Sequence, residues 1–209
     1  MSSSTSSTIT TYYQRILFRD PTSSELSSWT GSVGAGTLTL EQVRTSLITS
    51  TEASSFVDPV MRMYQAAFGR VPESNTALDF YADNLRAGTW SISNIAQNFA
   101  ASPEFAARYG TSGPNAAYIT ALYVNVLGRT PSAAEVDWYL ASGMTTSQML
   151  QGFSQSPEFQ TRSGAAVDAF LNANALGTAV FSGPLQITVP GQTFMLTTGA
   201  DTSATMTGT

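Results

Sequence analysis

Along the first 160 positions the apolar residues come in short bursts at three- and four-residue spacing, broken by Gly, Pro and Ser/Thr. That spacing predicts short amphipathic helices with one buried stripe each. Ile9, Tyr12, Tyr13, Ile16 and Leu17 form one stripe; Val60, Met63, Tyr64, Ala67 and Phe68 form another; Ile119, Leu122, Tyr123, Val126 and Leu127 a third. After each comes a second helical core: Leu26 to Trp29, Leu78 to Tyr81, and Val136 to Tyr139. A glycine-containing loop follows, then a third helix with Leu40, Val43 and Leu47, with Ile95, Ala96 and Phe99, or with Met149, Leu150 and Phe153 on its apolar face. A last helix is expected over about 165–175, around Val167, Phe170 and Leu171, with Gly177 ending it. Beyond 178 the period drops to two, at Leu185, Ile187 and Val189 and at Phe194 and Leu196, which reads as strand.

The stripes share a signature: Tyr, three residues, an apolar residue, Gly or Phe, Arg, any residue, Pro. It reads Tyr13 to Pro21, Tyr64 to Pro72 and Tyr123 to Pro131, its tyrosines 51 and 59 residues apart. Gly69 and Gly128 sit where a helix C-terminus needs a left-handed residue, and the Pro prevents continuation. Phe18 replaces Gly in the first copy, so that helix is expected to end differently. Asp58-Pro59 reads as a cap before the second stripe, Thr39 with Gln42 and Thr145 with Gln148 read as capping boxes, and Ser102-Pro-Glu104 and Ser156-Pro-Glu158 as helix starts. The fold expected is mainly α: tandem helical repeats, three units of about 50 residues, followed by the start of a β-rich segment. Units this small bury little surface alone, so they should pack on one another. The boundaries are a disordered Ser/Thr tract at 1–7 and a helical repeat domain at 8–177, with units at 8–57, 58–113 and 114–164 and a closing helix at 165–176. Residues 178–209 are read as a linker and the first strands of a larger β-region.

Composition narrows the chemistry. The 209 residues carry a net charge of -5, and all nine basic residues are Arg, with no Lys, His or Cys. Disulfides, thiol nucleophiles and histidine-based catalysis or metal ligation are excluded. An acidic chain without Lys gives no footprint for nucleic acid. No apolar run reaches the length of a membrane span, so no membrane insertion is expected, and the polar N-terminus lacks a signal-peptide pattern.

Candidate binding residues are few. Arg19, Arg70 and Arg129 invite an anion-gripping role, set against helix capping or pairing with a nearby carboxylate such as Asp137 or Glu158. Trp29, Phe80, Tyr81, Trp138 and Tyr139 sit at helical spacing and read as core, whereas Trp90 lies in a polar loop and is the best candidate for an exposed glycan contact. Asp79 and Asp83 are one turn apart and read as a solvated pair. No nucleophile–base pair, metal spacing or phosphate loop can be assembled, and no enzyme activity is expected.

The three copies resemble a tandem helical repeat family of unknown function, over residues 9 to 162, found at the N-termini of RTX-type secreted proteins and S-layer proteins of Gram-negative bacteria. The resemblance implies a secreted, cell-surface (S-layer) location by type I secretion. It also implies an anchoring role: binding of lipopolysaccharide O-antigen and assembly with copies of the same chain in an oligomer or lattice. Calcium is implied mainly for the downstream region, and none is identifiable in the helical repeats. The alternative is a protein-binding adhesin or scaffold without glycan binding.

Overall fold

The structure is a computed structural model, and it describes residues 3–183, 186–189 and 192–195. It is mainly helical, in three units of four helical segments. The first unit runs through α1 (Ser3–Tyr12), which passes into a π-helical turn (Tyr13–Leu17), then α2 (Ser23–Gly34), α3 (Leu40–Ile48) and a second π-turn (Ala53–Val57). The second holds α4 (Asp58–Phe68), α5 (Asn75–Arg86), α6 (Ile92–Ala100) and α7 (Pro103–Tyr109). The third holds α8 (Ala116–Leu122) with a π-turn (Tyr123–Leu127), then α9 (Ala133–Ala141), α10 (Thr146–Ser154) and α11 (Pro157–Ala175). Two short strands, β1 (Gln186–Val189) and β2 (Gln192–Met195), pair antiparallel. The rest of the expected β-rich segment, with Leu185 and Leu196, lies outside the described residues.

Local chemistry explains most boundaries. Thr39 and Thr145 form the expected capping boxes, and Ser102 and Ser156 cap helices with Pro in the first turn. Three more boxes start α2, α6 and α9, at Thr22 with Glu25, Ser91 with Asn94 and Ser132 with Glu135. Each such cap satisfies donors that the first turn of a helix cannot pair internally.

Four expectations change. The Ser/Thr tract is helical from Ser3 rather than disordered: Ile9 and Tyr12 are buried, and the Thr8 and Thr11 hydroxyls donate to the carbonyls of Ser4 and Ser7. A buried apolar end thus holds a segment whose own propensity is weak. Asp58 does not cap α4. The preceding π-turn runs straight into the helix, Val57 stands at the cap, and the Asp58 side chain is left with a buried Oδ1 that has no hydrogen-bond partner among the described residues. Phe18 ends its helix as Gly69 and Gly128 do, in the left-handed region at φ 54°, because its buried ring offsets the strain. Finally, the closing helix is not separate, because α11 is one 19-residue helix that begins at the third unit's Ser-Pro-Glu start.

The core is continuous through all three units, with α4 at its centre, buried on nearly every face and packed against α5, α6, α7, α10 and α11. The row of units is closed at its ends: α11 packs on α3 and on the first π-turn. Asn174 in α11 donates to the Arg15 carbonyl at 2.7 Å and to Asn75 Oδ1 at 2.7 Å, while Arg44 donates to Asn172 at 2.7 Å. Closure buries the outer faces that an open stack would expose.

Candidate functional site

The signature builds the same object three times. The left-handed residue turns the chain so that the following Arg folds back over the ring of the signature Tyr, at 5.1 Å for Arg19 on Tyr13, 5.6 Å for Arg70 on Tyr64 and 4.6 Å for Arg129 on Tyr123. The guanidinium then joins two carboxylates of its own unit, one from the first turn of the second helix or just before it, the other from the start of the fourth. Arg19 takes Glu25 and Glu52, Arg70 takes Glu73 and Glu104, and Arg129 takes Glu135 and Glu158. Arg19 uses all five N–H donors, on Glu25, Glu52 and the Asp20 carbonyl. Hydrogen bonds from Arg19 hold the Glu25 carboxyl down at about 2, and Glu52 and Glu104 are lowered by their Arg partners in the same way. Pairing with Glu158 is therefore as expected, and pairing with Asp137 is not seen. These three Arg are structural clamps, with little left to grip an anion.

An open cleft lies beside the first clamp. A cavity of about 510 Å³ lies between the first unit's turn and α5 of the second unit, lined by Gln14, Phe18, Arg19, Asp20, Asn75, Thr76, Asp79 and Asp83. Its polar groups differ in availability. Gln14 donates to Asp20 Oδ1 at 2.8 Å, Asn75 accepts from Asn174, and Asp83 accepts from Arg86. The Asp79 carboxylate and the Thr76 hydroxyl have no hydrogen-bond partner among the described residues. Partial desolvation and the nearby Asp83 push the Asp79 carboxyl up. Asp79 and Asp83 are thus more than a solvated pair, since both line a cleft between repeats. Sequence periodicity did not find this cleft because its two walls come from different units.

The aromatics also divide differently from expectation. Trp90 is half-buried, edge-on to Phe80 at 5.6 Å and Tyr81 at 5.9 Å, so it packs rather than projects. Trp29 is likewise partly buried and donates its indole N–H to the Tyr13 hydroxyl at 2.8 Å. The exposed rings are Phe80, 50% exposed, and Trp138, 59% exposed. They occupy one repeat position, and the first unit has Ser28 there. The fold tolerates Ser at that site, so packing does not require the aromatic rings. Comparing the three copies position by position would have revealed this.

Among the described residues, no group of three or more metal-ligating side chains is arranged to hold an ion. No helix there is long and apolar enough to cross a membrane.

Against this geometry, the domain of unknown function DUF4214 matches residues 53–107 and 96–163. The chain belongs to the DUF4214 family. The two overlapping matches span the second and third units, where the Gly-Arg turn and its two-carboxylate clamp are present in full. The first unit lies almost wholly outside the matched residues, yet it carries the same clamp, with Phe18 in place of Gly. No curated protein and no solved structure matches the chain.

Proposed function

We propose that this DUF4214 domain is the cell-surface anchoring part of a secreted S-layer or RTX-like protein, and that it binds the O-antigen polysaccharide of lipopolysaccharide without catalysing a reaction. The observation that carries the reading is the cleft between the first and second units. Its free carboxylate and hydroxyl, with amide groups beside them, suit the hydroxyl-rich edge of a sugar. The location, the type I route, lattice assembly and a role for calcium downstream rest on the resemblance of the repeats.

Retention on smooth lipopolysaccharide, with and without calcium, tests this. The wild-type chain is expected to be retained on smooth but not on rough lipopolysaccharide, and Thr76→Ala with Asp79→Ala to lose retention while keeping its helical spectrum. Equal retention on both lipopolysaccharides removes the proposal.

One observation favours a second reading, protein docking by an adhesin or scaffold: Trp138, Leu140 and Met144 are all exposed, on α9 and the loop after it. Light scattering separates the two. An oligomer that forms with concentration, ignores glycan and is lost in Trp138→Ala supports docking.

A further inference from the structure

The helical domain does not stop at the end of α11. Past Gly177 the chain runs back across the second unit's turn. There the Val71 N–H donates to the Gly183 carbonyl at 2.8 Å, and the Ser182 N–H donates to the Pro72 carbonyl at 3.0 Å. Phe181 packs edge-on against Phe170 of α11, ring centres 5.5 Å apart, and Ala179 also lies against the core. Ser182 adopts a left-handed φ of 60°, which bends the segment onto the turn.

The other two units provide the control. The equivalent turn edges, Asp20-Pro21 and Thr130-Pro131, make no backbone hydrogen bond to another segment among the described residues, and Asp20 and Thr130 are exposed. Only the second unit has an apolar residue there, and that residue, Val71, is buried. The substitution has a cost. In the first unit, Gln14 donates to Asp20. Gln65 and Val71 hold the repeat positions of Gln14 and Asp20, and both amide atoms of Gln65 are buried without a partner among the described residues.

We propose that residues 179–183 are a releasable clasp on the second unit's turn, so that the exit of the chain toward its C-terminus is coupled to the state of that turn. Two backbone hydrogen bonds, one ring contact and the partly buried Ala179 hold the clasp, whereas α11 beneath it is anchored by buried Phe170, Leu171 and Asn174. Tension or ordering downstream of Gly183 therefore acts on the clasp first. Its release frees the Val71 N–H and uncovers that turn, while the helical core stays folded.

Amide hydrogen exchange on the whole 209-residue chain tests this. Two variants loosen the clasp by independent routes: Phe181→Ala removes the ring contact, and Ser182→Pro removes the N–H donor and cannot adopt a positive φ. In both, exchange at the Val71 amide is expected to speed up at least about tenfold and to stay nearly independent of urea, while Met63 and Ala67 in α4 keep the steep urea dependence of whole-domain unfolding. An unchanged Val71 rate in both variants overturns the proposal. So does a Val71 rate with the same urea dependence as the α4 amides, because the segment would then open only with the core and not as a separate clasp.

Discussion

Replacing Arg19 with Met keeps the length of the side chain and removes every donor of the first clamp. Glu25 loses its only cationic partner among the described residues, while Glu52 keeps Arg86 at 3.2 Å. Arg19 is 23% exposed, so the loss falls between two regimes. Fully exposed pairs contribute roughly 0.2–1 kcal/mol, and breaking a buried pair costs roughly 3–5 kcal/mol. Two-thirds to three-quarters burial with bidentate geometry places Arg19→Met at about 2 kcal/mol, or roughly 4–8 °C in Tm for a domain of this size. Arg19→Lys keeps the charge but loses the fork and should cost about half as much. Arg129, 40% exposed against 23% for Arg19, should give the smallest effect of the three clamps. The effect of Arg19→Met should also depend on pH in a defined direction. Glu25 titrates at about 2 in the folded protein, against an ordinary value of 4.5. The clamp's contribution is then complete above about pH 4.5 and falls away as pH drops toward 2. Urea unfolding at several pH values measures it. A mutant within about 0.3 kcal/mol of wild type at neutral pH, or a gap unchanged between about pH 6 and 3, would refute the reasoning.

Three further predictions concern the fold. Asp58 is partly buried at the head of α4, and desolvation pushes it up to about 6, only partly countered by Arg62 and reinforced by Asp168. A raised carboxylate stabilises below its unfolded value and the contribution is lost as pH rises through 6. Asp58→Asn should therefore flatten a decline of roughly 3 kcal/mol between about pH 4 and 7, read by thermal melts across that range, and an unchanged decline would exclude Asp58 as its source. Gly128→Ala should cost about 1–2 kcal/mol, because φ is 69° and the Arg162 guanidinium, which donates to the Leu127 carbonyl, lies 2.0 Å from where the Cβ would stand; a neutral result in urea unfolding would show that the helix end relaxes. Trp138→Ala should leave Tm within about 1 °C of wild type, since its ring is mostly in water; a larger fall in a thermal melt would mean that it packs more than its exposure implies.

Local rules made much of this protein legible. Periodicity located the helical stripes, and cap chemistry placed their starts at Thr39, Ser102, Thr145 and Ser156, because both depend on residues within one or two turns of each other. The threefold signature implied equivalent environments, and Tyr13, Tyr64 and Tyr123 are all buried beneath their Arg. Glu158 was legible as a partner of Arg129 because a cation at a helix end calls for a carboxylate. Tertiary structure alone decided the rest. Ser3 to Ser7 are helical because Ile9 and Tyr12 are held in the core, and Asp58 is stranded because a π-turn fuses onto α4. The cleft at Asp79, the contact of α11 with the first unit and the clasp over Val71 all join residues from different units. Spacing along a chain reports which face of a helix is apolar. It carries no information about which other segment covers that face, or whether any segment does.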